Sequence, residues 1–200
     1  MTTTVPTSSR LALLTVPVML LLSGLAVAHP GHAPDHGAGL VAGLSHPLLG
    51  LDHLLAMLAV GLWGLRQGHA FGRVAPILAA VGMLLGAGLA WAGVALPGVE
   101  LGIALSVLLA GVLVAALVRV PAGIGAGVLV LFMLLHGQAH GSEMPPGASM
   151  FAYLAGFTLA TLAIGYAGRQ AGHYLLVREK RLVRALGLMI AAAGALFAMG

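Results

Sequence analysis

An all-α, polytopic membrane fold is what this sequence predicts, and three observations predict it. The 200-residue chain is 60% hydrophobic and only 7% charged, with a mean hydropathy of +1.07. No Asp, Glu, Lys or Arg occurs between Glu100 and Arg119, or between Arg119 and Glu143, and apolar runs of that length exceed what a soluble core of this size requires. The basic residues beyond Arg10 gather in a few short stretches separated by those runs. In a soluble protein the net charge of +4 would suggest a nucleic-acid partner; here the cations sit where membrane topology needs them, and no nucleic-acid binding is read from them. Cysteine is absent, which excludes disulfides, thiolate ligands and cysteine nucleophiles. Any transition-metal site must draw on imidazole, carboxylate, thioether or backbone groups.

At the N-terminus, Arg10 precedes an apolar run from Leu11 to Leu25, and Ala26-Val27-Ala28 supplies the small-x-small pattern that a signal peptidase accepts. Residues 1–28 are therefore expected to form a cleaved signal peptide with His29 as the mature N-terminus. Left uncleaved, the run would be one more helix, and the segment after it is external in either case. Residues 29–38 are polar and proline-broken, and carry His29, His32, Asp35 and His36. Such a flexible arm suits capture of a cation better than tight structural binding.

Residues 39–200 are expected to form a six-helix transmembrane domain. Its apolar segments run roughly from Gly39 to Leu65, Val74 to Leu96, Leu101 to Val118, Ala122 to Leu135, Ala148 to Ala167 and Leu182 to Met199. The fourth is short, and needs Gly137 to Ala139 to span, which puts His136 and His140 at its outer end. With an external N-terminus, the inner connections are Arg66 to Arg73, Arg119 to Pro121 and Gly168 to Arg181. Together with Arg184 they hold every Lys and Arg after Arg10, whereas the outer connections near Pro97 to Glu100 and His140 to Gly147 hold none. The positive-inside rule then places both mature termini outside the cytoplasm. Gly82 with Gly86 and Gly123 with Gly127 have the GxxxG spacing that lets helices pack closely in lipid.

Several polar residues need an explanation. The first span contains Ser45-His46-Pro47-Leu48-Leu49-Gly50-Leu51-Asp52-His53, and an ionisable residue at membrane depth is costly unless paired or hydrated. His46 and His53 are two turns apart and share a face if the helix is continuous. Pro47 equally allows a short outer half-helix, a break at His46-Pro47 and a span starting near Leu49. The fourth span ends in His136-Gly137-Gln138-Ala139-His140-Gly141-Ser142-Glu143, which sets two imidazoles and a carboxylate on one face at i, i+4 and i+7. Glu100 opens the third span on the same side, either as a solvated N-terminal acid or as part of a shared vestibule. Met57 and Met144 are soft donors that serve equally as packing. His69 and His173 lie among basic residues, where cation binding is disfavoured. The candidate constellation is therefore His46, Asp52, His53, Glu100, His136, His140 and Glu143, preceded by His29, His32 and His36. Its imidazole and carboxylate donors suit Ni²⁺, Co²⁺, Zn²⁺ or Cu²⁺.

The segments His46-Pro-Leu-Leu-Gly-Leu-Asp-His-Leu-Leu-Ala-Met57 and His136-Gly-Gln-Ala-His-Gly-Ser-Glu143, after a signal peptide ending before His-Pro-Gly-His, resemble the HupE/UreJ family of bacterial nickel and cobalt permeases. The resemblance covers essentially the whole mature chain. It implies a permease rather than an enzyme, residing in the bacterial cytoplasmic membrane and carrying Ni²⁺ or Co²⁺ inward as cargo, with no prosthetic group, toward hydrogenase, urease or cobalamin maturation. It also implies transport roles for His46, Asp52 and His53, joined by Glu100, His140 and Glu143, with His136 fitting the pattern. No nucleotide-binding motif is visible, so a gradient or secondary coupling is expected. The competing reading is an intramembrane zinc hydrolase with His53, His136 and His140 as ligands and Asp52 or Glu143 acting on the bound water.

Overall fold

Long apolar runs interrupted only by glycine and proline become helices joined by tight connections. The computed structural model describes residues 36–200, with side chains from Gly39 onward except at 177 and 178. The expected signal peptide, His29 and His32 lie outside the described residues, and His36 is described only as the first backbone position of a helix. The helices are α1 (His36–Leu49), α2 (Leu51–Gly64), α3 (His69–Trp91), α4 (Val99–Ala116), α5 (Ala122–Ser142), α6 (Met150–Arg178) and α7 (Lys180–Met199), with a 3₁₀ turn at Leu65–Gln67. Helices α3 to α7 are each long and apolar enough to cross a membrane. The pair α1–α2, bent by 75° between Leu49 and Leu51, makes a sixth span if taken as one.

Punctuation sets the boundaries. Gly68 and Gly98 cap α3 and α4 at φ 100° and 68°, conformations that suit glycine. Pro121 precedes α5, and Pro145-Pro146-Gly147 separates α5 from α6. The expected inner connection from Gly168 to Arg181 is instead almost wholly helical. The segment has no proline and its glycines do not break the helix, so α6 runs 29 residues and only Glu179 separates it from α7. The first span also breaks elsewhere than at Pro47. That proline sits in the last turn of α1, and the helix runs through it to Leu49. The break comes at Gly50, which closes α1 by donating its N–H to the His46 carbonyl at 3.1 Å, then opens α2 by accepting from Leu54 N–H at 2.9 Å.

Glycine faces decide which helices touch. A Cβ at Gly82 or Gly86 would collide with the backbone of α5 at Val130 and Leu134, and one at Gly137 with the backbone of Met83, so α3 and α5 run side by side in the same direction. Gly111 and Gly187 serve the antiparallel α4–α7 contact, while Gly43, Gly156, Gly61 and Gly168 bring α1 and then α2 against α6. The GxxxG pair at Gly123 and Gly127 does not follow this rule. Among the described residues, nothing beyond the helix's own turns lies within 4 Å of a Cβ at either position, and the intervening Gly125 is the one that meets Trp63. Helix periodicity explains the difference, since residues two apart point to different faces.

Helix α2 is central, burying Ala56, Met57, Ala59, Val60, Leu62 and Trp63. The exterior is studded with large aliphatics such as Leu85, Leu101, Leu131, Leu188 and Leu196, while the buried polar residues include His53, Ser106, His136, His140 and Thr161. Apolar outside and polar within is the pattern of a helical bundle bathed in lipid.

Candidate metal centre

Helix α5 sets the site. Leu129, Met133, His136 and His140 are buried along it at spacings of four, three and four, the stripe that one helix face presents to a neighbour. The glycines that follow each histidine explain why this face points inward. Gly137 and Gly141 press against the backbone of Met83 and Ala87 on α3, which turns the imidazoles toward α2. Trp91 Nε1 donates to the Gly141 carbonyl at 2.9 Å and Gln138 Nε2 to that of Val94 at 2.9 Å, tying the same helix end down.

From α2, His53 reaches this face. Its Nδ1 lies 3.1 Å from His140 Nε2, and its ring sits edge-on to those of His136 and His140 with centroids 5.8 and 4.9 Å apart. His53, His136 and His140 each bring one nitrogen into a set lying within 4.8 Å of one another, and are 0, 1 and 6% exposed. A second set of the same compactness joins His46, His140 and Glu143. Here His46 Nε2 is 2.9 Å from Glu143 Oε2, and His140 Nδ1 is 3.5 Å from that oxygen, a charge contact without a hydrogen bond. The side chains of His46 and Glu143 are 32 and 54% exposed. His140 thus belongs to both groups, one ring nitrogen turned to each.

Aromatic residues of α6 wall the groups. Phe157 packs on the rings of His53 and His140 at 5.8 and 5.1 Å, Tyr153 stacks on Phe157, and the Tyr153 hydroxyl donates to the His140 carbonyl at 3.3 Å. At the end of α5, the neighbouring His140 does most to hold the Glu143 carboxyl below its ordinary value of 4.5; partial burial opposes this and the hydrogen bond with His46 adds to it.

The remaining candidates lie apart. Asp52, in the first turn of α2, accepts from the backbone N–H of its neighbour His53 at 2.7 Å and joins neither group. With Glu100 it lines a separate open cavity bounded also by Leu49, Ile103, Phe197 and Gly200. Adjacent residues on a helix diverge by about 100°, so Asp52 and His53 face different spaces. Met57 is fully buried in the core one turn beyond His53. Two residues that the reading from sequence passed over contact the inner imidazoles directly: Ser106 Oγ lies 2.7 Å from His136 Nε2, and Thr161 Oγ1 lies 3.3 Å from His53 Nε2. Their one signal is a hydroxyl within an otherwise apolar run.

Comparison with known proteins agrees with this picture. The family described as HupE / UreJ protein matches residues 17–197. Protein HupE of Rhizobium leguminosarum bv. viciae is 38% identical over 182 residues, covering 90% of this chain and 94% of that protein. No solved structure matches the chain. With both motif segments folded against each other inside a lipid-facing bundle, and with the family matched along nearly its whole length, the chain belongs to the HupE/UreJ family.

Proposed function

We propose that this protein is a permease for Ni²⁺ or Co²⁺, taking the ion at the His46–His140–Glu143 group and passing it to the His53–His136–His140 group on its way to the cytoplasm. The observation that carries the reading is the sharing of His140 between a half-exposed group and a buried one. Two imidazole nitrogens bound to one ion at ~2.1 Å and roughly a right angle stand about 3 Å apart, which is the separation of His53 Nδ1 and His140 Nε2, 3.1 Å.

The two groups divide the work. The outer carboxylate attracts a hydrated dication and compensates the loss of its water. The inner group offers donors but no formal charge, so it accepts the ion without trapping it. An inside-negative potential favours this direction by about 4.6 kcal/mol for a dication at 100 mV. In this reading the end rich in Arg and Lys is cytoplasmic, the outer group opens externally, and the His-rich arm supplies ions to it. Asp52 and Glu100 raise the local cation concentration at the neighbouring cavity.

The hydrolase alternative finds less support. It needs an acid beside a three-histidine ion, whereas Asp52 lines another cavity and Glu143 belongs to the outer group. The test is the initial rate of radiolabelled Ni²⁺ uptake into proteoliposomes. His53→Ala and His140→Ala should abolish it in protein that still folds, and parental rates in both would overturn the proposal.

A further inference from the structure

We infer that Ser106 on α4 and Thr161 on α6 are positioning residues that fix the tautomers of the inner group, so that His136 and His53 both present Nδ1 to the cargo ion. The inference rests on the transport reading above. Ser106 Oγ lies 2.6 Å from the Ile103 carbonyl oxygen and 2.7 Å from His136 Nε2. A hydroxyl has a single hydrogen, and a carbonyl has none to give. Ser106 therefore donates to Ile103, and the second contact runs the other way, from His136 Nε2–H to Ser106 Oγ. A neutral imidazole carries one N–H, so the lone pair of His136 is on Nδ1.

Thr161 repeats the arrangement. Its hydroxyl lies 3.8 Å from Met83 Sδ, to which it can donate, and 3.3 Å from His53 Nε2, and in the arrangement proposed it accepts the N–H from that nitrogen. The lone pair of His53 is then on Nδ1, the atom that faces His140 Nε2 at 3.1 Å. Serine in an apolar helix commonly satisfies itself on a preceding carbonyl and does nothing more. Ser106 does so and still receives an imidazole N–H, in a place where it is 4% exposed and Thr161 0%.

Among the described residues, no such hydroxyl meets the His140 ring. Its Nδ1 faces Glu143 and its Nε2 faces His53, so its proton can sit on either nitrogen. Two fixed histidines and one free to exchange tautomers are what a donor shared between two groups requires. With the ion outside, His140 offers Nδ1 and keeps its proton toward His53; with the ion inside, it offers Nε2 and turns its proton toward Glu143.

Partners that orient a metal-binding histidine are typically worth about 10–100-fold in affinity. Nitrogen-15 NMR of histidine-labelled, metal-free protein should show His136 and His53 as Nε2–H tautomers. Ser106→Ala and Thr161→Val should each convert their own histidine to a tautomer mixture, while Ser106→Thr and Thr161→Ser, which keep the hydroxyl, restore the parental pattern. In proteoliposomes the first two variants should raise the apparent KM for Ni²⁺ by about 10–100-fold with little change in maximal rate, and the hydroxyl-bearing variants should not. Parental tautomers and parental KM in Ser106→Ala and Thr161→Val overturn the inference. If Ser106→Ala does not fold, Thr161→Val carries the same two readouts. A parent protein that takes up no Ni²⁺ overturns the transport reading instead, and the tautomer spectra still decide the role of the hydroxyls.

Discussion

The group at the mouth, His46, His140 and Glu143, combines a carboxylate with side chains that reach water, whereas the group beneath it, His53, His136 and His140, is three imidazoles sealed from solvent. In the permease proposed above, the difference would separate two tasks that conflict at a single site. Stripping water from a dication calls for negative charge and access, while releasing it calls for weak, neutral donors. Groups in contact through one shared ring would let the proposed cargo ion exchange ligands one at a time, never facing the full desolvation penalty of an isolated charge in a low-dielectric interior.

Removing the shared residue is the most severe way to break this contrast. His140→Ala should abolish both Ni²⁺ capture and uptake, since it takes a ligand from both groups; a variant that retains most of its rate would show the groups to be independent. Separating the two tasks comes next. Glu143→Gln should raise the apparent KM by about tenfold and spare the maximal rate, whereas His53→Ala should abolish turnover at every concentration. Equal kinetic signatures would erase the distinction between mouth and interior.

Acidity sharpens the same comparison. The Glu143 carboxyl is held below its ordinary 4.5, so the contribution of its ionised form to the folded state is present above that value and is lost as pH falls through the depressed one. The ratio of apparent KM between Glu143→Gln and parent should therefore hold steady from pH 7 to 5 and shrink only at more acid pH. A ratio that closes around pH 6 would assign the outer role to a histidine instead.

Packing effects should be smaller. Gly137→Ala drives a methyl group into the backbone of Met83 and should destabilise the fold by about 1–3 kcal/mol, with uptake impaired as α5 shifts. Gly127→Ala meets nothing within 4 Å among the described residues and should leave stability unchanged or raise it by up to about 1 kcal/mol through helix propensity. Thermal unfolding in detergent distinguishes them, and equal losses would show that Gly127 packs against something other than the described helices.

Much of the architecture is legible in the sequence because lipid imposes a simple rule. Charges must cluster at the ends of apolar runs, so Arg66, Arg73, Arg119 and Lys180 mark one end of the bundle, and the i, i+4 pair His136 and His140 declares a helix face. Where polar residues leave the hydrophobic signal behind, periodicity no longer decides the boundary, and α6 continues through a stretch that reads as a connection. Gly123 and Gly127 have the right spacing on a face that meets no other helix among the described residues.

Residue chemistry and spacing by themselves determined an all-helical membrane chain with imidazole and carboxylate donors gathered toward one end, and its motifs carried the resemblance to the HupE/UreJ family. Only the tertiary structure decided how those donors divide. It sent Asp52 to a separate cavity with Glu100 while its neighbour His53 turned inward, and it brought Ser106 and Thr161 against imidazoles far away in sequence. The physical reason is that a helix fixes which of its own residues share a face, but not which other helix that face will meet. Here that choice was made by the close approach of glycine backbones, at Gly137 against Met83 and Gly43 against Tyr153, and the histidines followed.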